Sequence, residues 1–461
     1  MAVWQEIKSQ NLSYGLRLDP EFYRPEYTQS RSELHKIGTK AIVELKDDIR
    51  YGLQAEPDYL QEGVNYIRAL NLRDVGIEGE ILKIAESQIP TPDYLAMEGD
   101  ILVTRSGANC GDTGVVENGF IGATYGSYII RIRLQRVNPF FVYAFLQTKY
   151  GRFQTMQIRT GLAQPNLSIP YMENLIEIPN RISSELQKKV ESIIKSAFEK
   201  QRTITKLYQE AEQELLERME WGKVKTNHIL NYVATSKDIM SDERLDPEFY
   251  QPKFENLEKH LKKIGALRIS DICTFVNHGI QPPYFENGKV AVITQKEMTP
   301  TFLELESIKD FTNESFYAEN QIFQLKNRDV LLYSVGAYIG RCNILLEELR
   351  AMAGSFITIL RADEKEIMPE YLSLFLNSSA GVMQSRQRMR GTAQHYLYPR
   401  DIKEISIFIP RDKSGKPDLA WQKKLADKVV AANEAKKSAK QKLQEAKNLV
   451  ENEIEKLLSS I

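Results

Sequence analysis

A chain of 461 residues predicts about three folding units, and 61 Lys+Arg against 62 Asp+Glu leave no acidic or basic tail dominant. With 42 % hydrophobic and 27 % charged residues the composition is globular, and no apolar run reaches membrane-spanning length. The opening Met1-Ala2-Val3-Trp4-Gln5-Glu6 lacks the basic and apolar regions of a secretory signal, and Cys110, Cys273 and Cys342 are too widely spaced for a disulfide framework or zinc knuckle, so a reducing cytoplasm is expected.

Along the chain, the first distinctive run is Arg17-Leu18-Asp19-Pro20-Glu21-Phe22-Tyr23, and it returns as Arg244-Leu245-Asp246-Pro247-Glu248-Phe249-Tyr250. An ordered series follows in both places. Gly52-Leu53-Gln54 matches Gly279-Ile280-Gln281, and Asp100-Ile101-Leu102-Val103 matches Asp329-Val330-Leu331-Leu332. Gly126-Ser127-Tyr128-Ile129 matches Gly354-Ser355-Phe356-Ile357, and Gly161-Leu162-Ala163-Gln164 matches Gly391-Thr392-Ala393-Gln394. Chance does not produce such an order; the chain is one unit written twice.

Each copy opens with a mixed part, residues 1–180 and 223–412. There, short β-type runs (100–104, 128–134, 329–333, 356–360) are broken by Gly, Pro and Asn and interleaved with helices that begin at Pro139 and Pro369. Each copy closes with a segment, 181–222 and 413–461, that is dominated by one long helix. Val190, Ile194, Ala197, Gln201, Ile204, Tyr208, Ala211 and Leu215 step by alternate fours and threes. Leu425, Val429, Ala432, Lys436, Ala439, Leu443, Ala446, Val450 and Leu457 form the matching seam. Narrow heptad stripes of this kind suit mutual burial of two helices, each about 55–60 Å long.

Charge is unevenly placed. Between Glu117 and Glu173 there is no acid, while Arg131, Arg133, Arg136, Lys149, Arg152 and Arg159 are present; 371–400 is also acid-free and holds Arg386, Arg388, Arg390 and Arg400. Such stretches are expected to face phosphate. Two loops inside them carry cations, amides and hydroxyls around a glycine: Arg159, Thr160, Gln164 and Asn166 in one, Arg390, Thr392, Gln394, His395 and Tyr396 in the other. Gln and Asn pair with adenine and Arg with guanine. A second pair of loops adds Arg105, Ser106 and Asn109 in one half and Ser334, Tyr338 and Arg341 in the other.

Catalytic chemistry is not expected. Asn138-Pro139-Phe140-Phe141 and Gln281-Pro282-Pro283-Tyr284 are partial look-alikes of an amino-methyltransferase loop, but no glycine-rich cofactor turn precedes either. The five histidines have no metal-ligand spacing, and no Ser-His-Asp or Cys-His cluster is evident.

Two diverged α/β units, each followed by a long helix, resemble the specificity subunit of Type I restriction-modification enzymes. The resemblance covers essentially the whole chain. It rests on the Arg-Leu-Asp-Pro-Glu-Phe-Tyr repeats, the run Gly99-Asp100-Ile101-Leu102-Val103-Thr104-Arg105-Ser106-Gly107, the loop Gln164-Pro165-Asn166-Leu167-Ser168 and the two helices. In the second half Gln394-His395-Tyr396-Leu397-Tyr398 departs from that loop pattern. The resemblance implies an α+β chain with two tandem pseudo-repeated target recognition domains, separated by two long helices in an antiparallel coiled coil. Each domain then reads half of a bipartite site in double-stranded DNA. The chain itself is implied to be non-catalytic and to bind no cofactor. It would recruit two adenine-N6 methyltransferase subunits that use S-adenosylmethionine, and motor-nuclease restriction subunits that use ATP and Mg. The competing readings are a self-contained methyltransferase or nuclease and a coiled-coil scaffold with no DNA role.

Overall fold

The computed structural model describes residues 17–73, 76–161, 163–235, 240, 244–392 and 394–461; the opening segment, Leu162 and Ala393 of the sequence argument lie outside these. Helices and strands are mixed throughout. The chain resolves into two compact units, Met1–Arg202 with Lys436–Ile461, and Thr203–Ala435. Among the described residues no helix is long and apolar enough to cross a membrane.

The first unit is built on an antiparallel sheet in the order Lys46–Tyr51, Ile129–Leu134, Ile101–Thr104, Thr113–Val115. Every residue of Ile101–Thr104 is buried, as a continuous apolar run predicts for a strand covered on both faces. Helices Pro139–Gln147 and Lys149–Gln157 follow the sheet, each started by a capping side chain. Asn138 Oδ1 accepts from the Phe140 and Phe141 amides at 3.0 and 3.2 Å, and Thr148 Oγ1 accepts from the Gly151 amide at 3.2 Å. Asn138 Nδ2 also donates to Glu191, and both phenylalanines are buried. The Asn-Pro-Phe-Phe run is therefore a helix cap. A second four-stranded sheet, Thr124–Tyr125, Val64–Ile67, Leu82–Ile84, Tyr59–Leu60, completes the main sheets of this unit.

The second unit repeats the plan. Its principal sheet runs Cys273–His278, Ile357–Ala362, Val330–Tyr333, Cys342–Ile344, again antiparallel, and helices Pro369–Asn377 and Ser379–Arg388 follow it.

The long helices are Ser184–Arg218, 35 residues, and Leu419–Ser459, 41 residues. Each contributes to both units in turn. In the first unit Val190, Ile194 and Phe198 share a core with Ala446, Val450 and Ile454. In the second, Ala211, Leu215 and Met219 share one with Leu425, Val429 and Ala432. Each Val, Leu, Ile, Met or Phe side chain among these contributes about 1.5–3 kcal/mol when fully buried, and each alanine less. Within the second unit Glu214 pairs with Lys424 at 2.5 Å, Glu210 with Lys428 at 3.5 Å and Arg218 with Asp418 at 3.7 Å, so these helix segments run in opposite directions there.

One expectation needs correction. Arg131 and Arg133 do not face outward. Arg131 is fully buried and pairs with Asp48 and Asp100, and Arg133 grips Asp100 through two bonds of 2.8 and 2.7 Å. The second unit keeps the latter pair as Arg361 on Asp329, at 2.9 and 3.1 Å. These guanidiniums neutralise buried carboxylates within the sheet.

Candidate nucleic-acid interface

In each unit three separate segments meet at one end of the principal sheet and are laced by the same backbone bonds. The amide of Arg105 donates to the Tyr128 carbonyl at 2.8 Å, Leu167 donates to Arg105 at 2.7 Å and Gly107 donates to Pro165 at 3.1 Å. The matching bonds are Ser334 to Phe356 at 2.9 Å, Leu397 to Ser334 at 2.8 Å and Gly336 to His395 at 3.1 Å. The long loop closes on itself through a reciprocal pair, Thr160 with Asn166 at 2.9 and 2.8 Å, and Arg390 with Tyr396 at 2.8 Å both ways. Gly161 and Gly391 turn these loops at φ +82° and +93°, where a Cβ would stand 2.6 and 2.2 Å from the carbonyl oxygen of Gln164 or Gln394.

The side chains on this shared frame differ. In the first unit the Arg105 guanidinium lies over the Tyr51 ring at 4.4 Å, with Nε 3.4 Å from Asn166 Oδ1. Gln164 Nε2 donates to Ser106 Oγ at 3.4 Å, and Gln164 is itself exposed. Asn109 is half-buried beside them in sequence. Arg159 bonds the Cys110 carbonyl, while Arg152 is exposed on its helix and bonds Gln147 at 2.9 Å.

In the second unit Arg390 forms a fork with Asp401 at 3.0 and 2.9 Å, which raises its already high pKa. Tyr396 stacks on Tyr398, centroids 6.0 Å apart, and donates to Gln394 Oε1 at 2.8 Å. Arg341 lies over the Tyr338 ring at 4.2 Å and donates to the Met298 carbonyl at 2.8 Å. Burial lowers the pKa of Arg341 and of Arg388, whose guanidinium is tied to Gln387 and to the Glu404 carbonyl. Thr392, Gln394, His395 and Arg386 are exposed.

Ser334 is a second correction. It is fully buried, and its hydroxyl is engaged with Thr358 Oγ1 at 2.6 Å, so it supports the loop and presents nothing outward. Tyr128 and Phe356 also belong to the cluster, although neither lies in the loops singled out by charge. They stand 60 % and 40 % exposed on equivalent turns whose carbonyls anchor the cluster. The Gly-Ser-aromatic match between the two halves was the signal that locates them.

The catalytic look-alike 281–284 contributes Gln281 and Tyr284 to a cavity of about 160 Å³ that also touches Ser355 and Phe356. Among the described residues no group of three His, Cys, Asp or Glu is placed to hold a metal. Burial pushes the Cys110 thiol up to about 11 and those of Cys273 and Cys342 up to about 12, so these sulfurs stay protonated at neutral pH.

No family model matches the chain, and no curated protein matches it in sequence. Solved structures resemble it. The Type-I restriction-modification system S subunit from M. genitalium shares 14 % identity with a TM-score of 0.44, over 91 % of this chain and 95 % of that one. A structure concerned with complex assembly and conformational transition of the type I R-M system gives 14 % and 0.29, over 91 % and 97 %. The HsdS subunit from Thermoanaerobacter tengcongensis gives 15 % and 0.28, over 91 % and 96 %. Among these three neighbours, then, are an S subunit of a Type-I restriction-modification system and an HsdS subunit.

Proposed function

We propose that the chain is the DNA-specificity subunit of a Type I restriction-modification complex and performs no chemistry itself. In this reading each unit recognises one half of a bipartite duplex site. The observation that carries it is the duplicated loop cluster: one backbone hydrogen-bond scheme, occurring twice, bearing two different sets of polar and aromatic side chains. A scaffold gains nothing from keeping the frame and varying the tips, whereas a reader of two different half-sites requires it. Gln164, Gln394, Thr392 and His395 are free enough to meet base edges, while Arg152 and Arg386 suit phosphate.

The two long helices then form an antiparallel coiled coil along both seams, which fixes the spacer between half-sites and presents two similar surfaces to two methyltransferase subunits. Those subunits would bring S-adenosylmethionine, and the restriction subunits ATP and Mg. The test is methylome sequencing of cells that express the chain with its methyltransferase partner. Methylation at one bipartite adenine-containing motif supports the proposal, and methylation without a motif refutes it. Inserting one heptad in both helices adds about 10 Å, or up to three spacer base pairs at 3.4 Å each, and an unchanged preferred spacer with full activity would show that the helices do not set the distance. The chain alone is expected to bind DNA weakly and with steep salt dependence, and to show no turnover.

A further inference from the structure

We propose that Arg17 and Arg244 are positioning residues, each clamping the root of its own base-reading loop; this rests on the assignment of the two loop clusters as readers. The seven residues from Arg17 to Tyr23 recur without change as 244–250, although the loops they touch differ at most positions. In both copies the arginine side chain is buried, 6 % and 4 % exposed, and its fork is divided the same way. Nε and Nη2 hold Asp19 at 2.8 and 2.6 Å, and Asp246 at 2.8 and 2.6 Å. The other bonds go to backbone. Arg17 reaches the Ile158 and Arg159 carbonyls at 3.2 and 2.9 Å, and Arg244 reaches those of Arg388 and Met389 at 3.2 and 2.5 Å.

The remaining residues of the run hold the arginine in place. Its guanidinium rests on the Phe22 ring at 4.5 Å, or the Phe249 ring at 4.3 Å. The Tyr23 or Tyr250 hydroxyl closes on the arginine's own carbonyl at 2.9 Å. Arg17, hydrogen-bonded to Asp19, keeps that carboxyl below its ordinary pKa.

The clamped carbonyls lie at the end of helices Lys149–Gln157 and Ser379–Arg388, where peptide oxygens lack donors from the helix and carry the negative end of its dipole. The next residue in each unit is Thr160 or Arg390, which makes the reciprocal pair that closes the loop. Clamp, closing pair and the exposed Gln164 or Gln394 therefore form one short mechanical series. Only a planar fork serves carboxylate and two carbonyls at once; lysine offers a single point of charge.

The experiment uses the full chain in its methyltransferase complex, with methylation scored on a library randomised in both half-sites. Arg17→Gln is expected to relax discrimination by about tenfold in the half-site of the first unit alone, and Arg244→Gln in the other alone, the effect of losing one base contact. Arg17→Lys should give the same defect confined to the first unit's half-site, with faster amide exchange at Thr160 and Asn166, and it carries the test if Arg17→Gln fails to fold. Retained discrimination, or equal loss at both half-sites, would overturn the clamp. Absence of half-site discrimination in the unsubstituted chain would instead overturn the assignment of the loops as readers.

Discussion

Around the loop of the first unit stand Asn109, Gln164 and Asn166, with Arg105 over Tyr51; at the same places in the second unit stand Tyr338, Gln394 and Tyr396, with Ser334 turned inward toward Thr358. The backbone bonds beneath them agree to about 0.1 Å. Loop geometry is thus written in main-chain amides, glycines and the clamp arginines, none of which depends on the side chains at the tip. On the DNA-reading function proposed above, that separation lets one half carry amides, which can both donate and accept along an adenine edge. The other half carries aromatic rings, which cover apolar surface such as a thymine methyl.

The sharpest difference between the units lies under the loops. Asp100 neutralises Arg131 and Arg133, whereas among the described residues Asp329 pairs with Arg361 alone. Asp100→Ala is expected to destabilise its unit by about 3–5 kcal/mol, and Asp329→Ala by less, because a single guanidinium is then left uncompensated. Urea unfolding of both variants checks the order, and equal losses would show that Arg131 is satisfied by Asp48 alone.

Next come the glycines. Gly391→Ala and Gly161→Ala should each strain their loop by about 1–3 kcal/mol, the former more because its Cβ approach is closer. Each should abolish recognition of one half-site only, scored by library methylation; loss in both halves would break the idea of independent frames.

The amide–aromatic contrast is testable from the DNA side. Replacing thymine by uracil should weaken recognition of the half-site read by the second unit by about 0.8 kcal/mol, one apolar methyl group, and leave the other untouched. An equal response at both half-sites would mean that Tyr338, Tyr396 and Tyr398 do not cover that methyl.

The smallest expected effect is on pH dependence. His278 occupies the place of Tyr51, bonds Thr358 at 3.0 Å through Nδ1, and has its pKa lowered by burial from 6.5. A neutral imidazole is favoured in the folded state, so its contribution is complete above 6.5 and is lost as pH falls through that value toward the lowered one. The melting temperature should therefore fall more between pH 7 and 5 for the natural chain than for His278→Gln. Parallel curves would count against a half-buried neutral histidine.

The duplication, the mixed class and the two long helices were legible because repetition and periodicity are local properties. What was not legible is where side chains point. A stretch free of acids in sequence is not free of them in space, since Asp48 and Asp100 come from outside it to meet Arg131. The seam read from the sequence includes Val450 and Leu457 but not Ile454 and Phe198, and both of these are buried in the core of the first unit, where segments of the two long helices meet the sheet-bearing part of that unit. Ser334 and Arg105 share a backbone position, yet a short hydroxyl satisfies itself inside the sheet while a long cation cannot. Asn138 is the opposite case: Pro139 marks a helix start in the sequence, and Asn138 is the cap of that helix.

The division of the long helices between units has a consequence for biosynthesis. Ala446, Val450 and Ile454 belong to the core of the unit that contains Arg17 to Arg202, so a unit whose larger part is made early is completed only by a segment made after the second unit. The second unit, Thr203–Ala435, is continuous in the chain and has all its residues before that happens. Vectorial synthesis thus inverts the order in which the two cores are completed, and a chain halted after Ala435 exposes the apolar face of Val190, Ile194 and Phe198 rather than any surface of the domain that has just emerged.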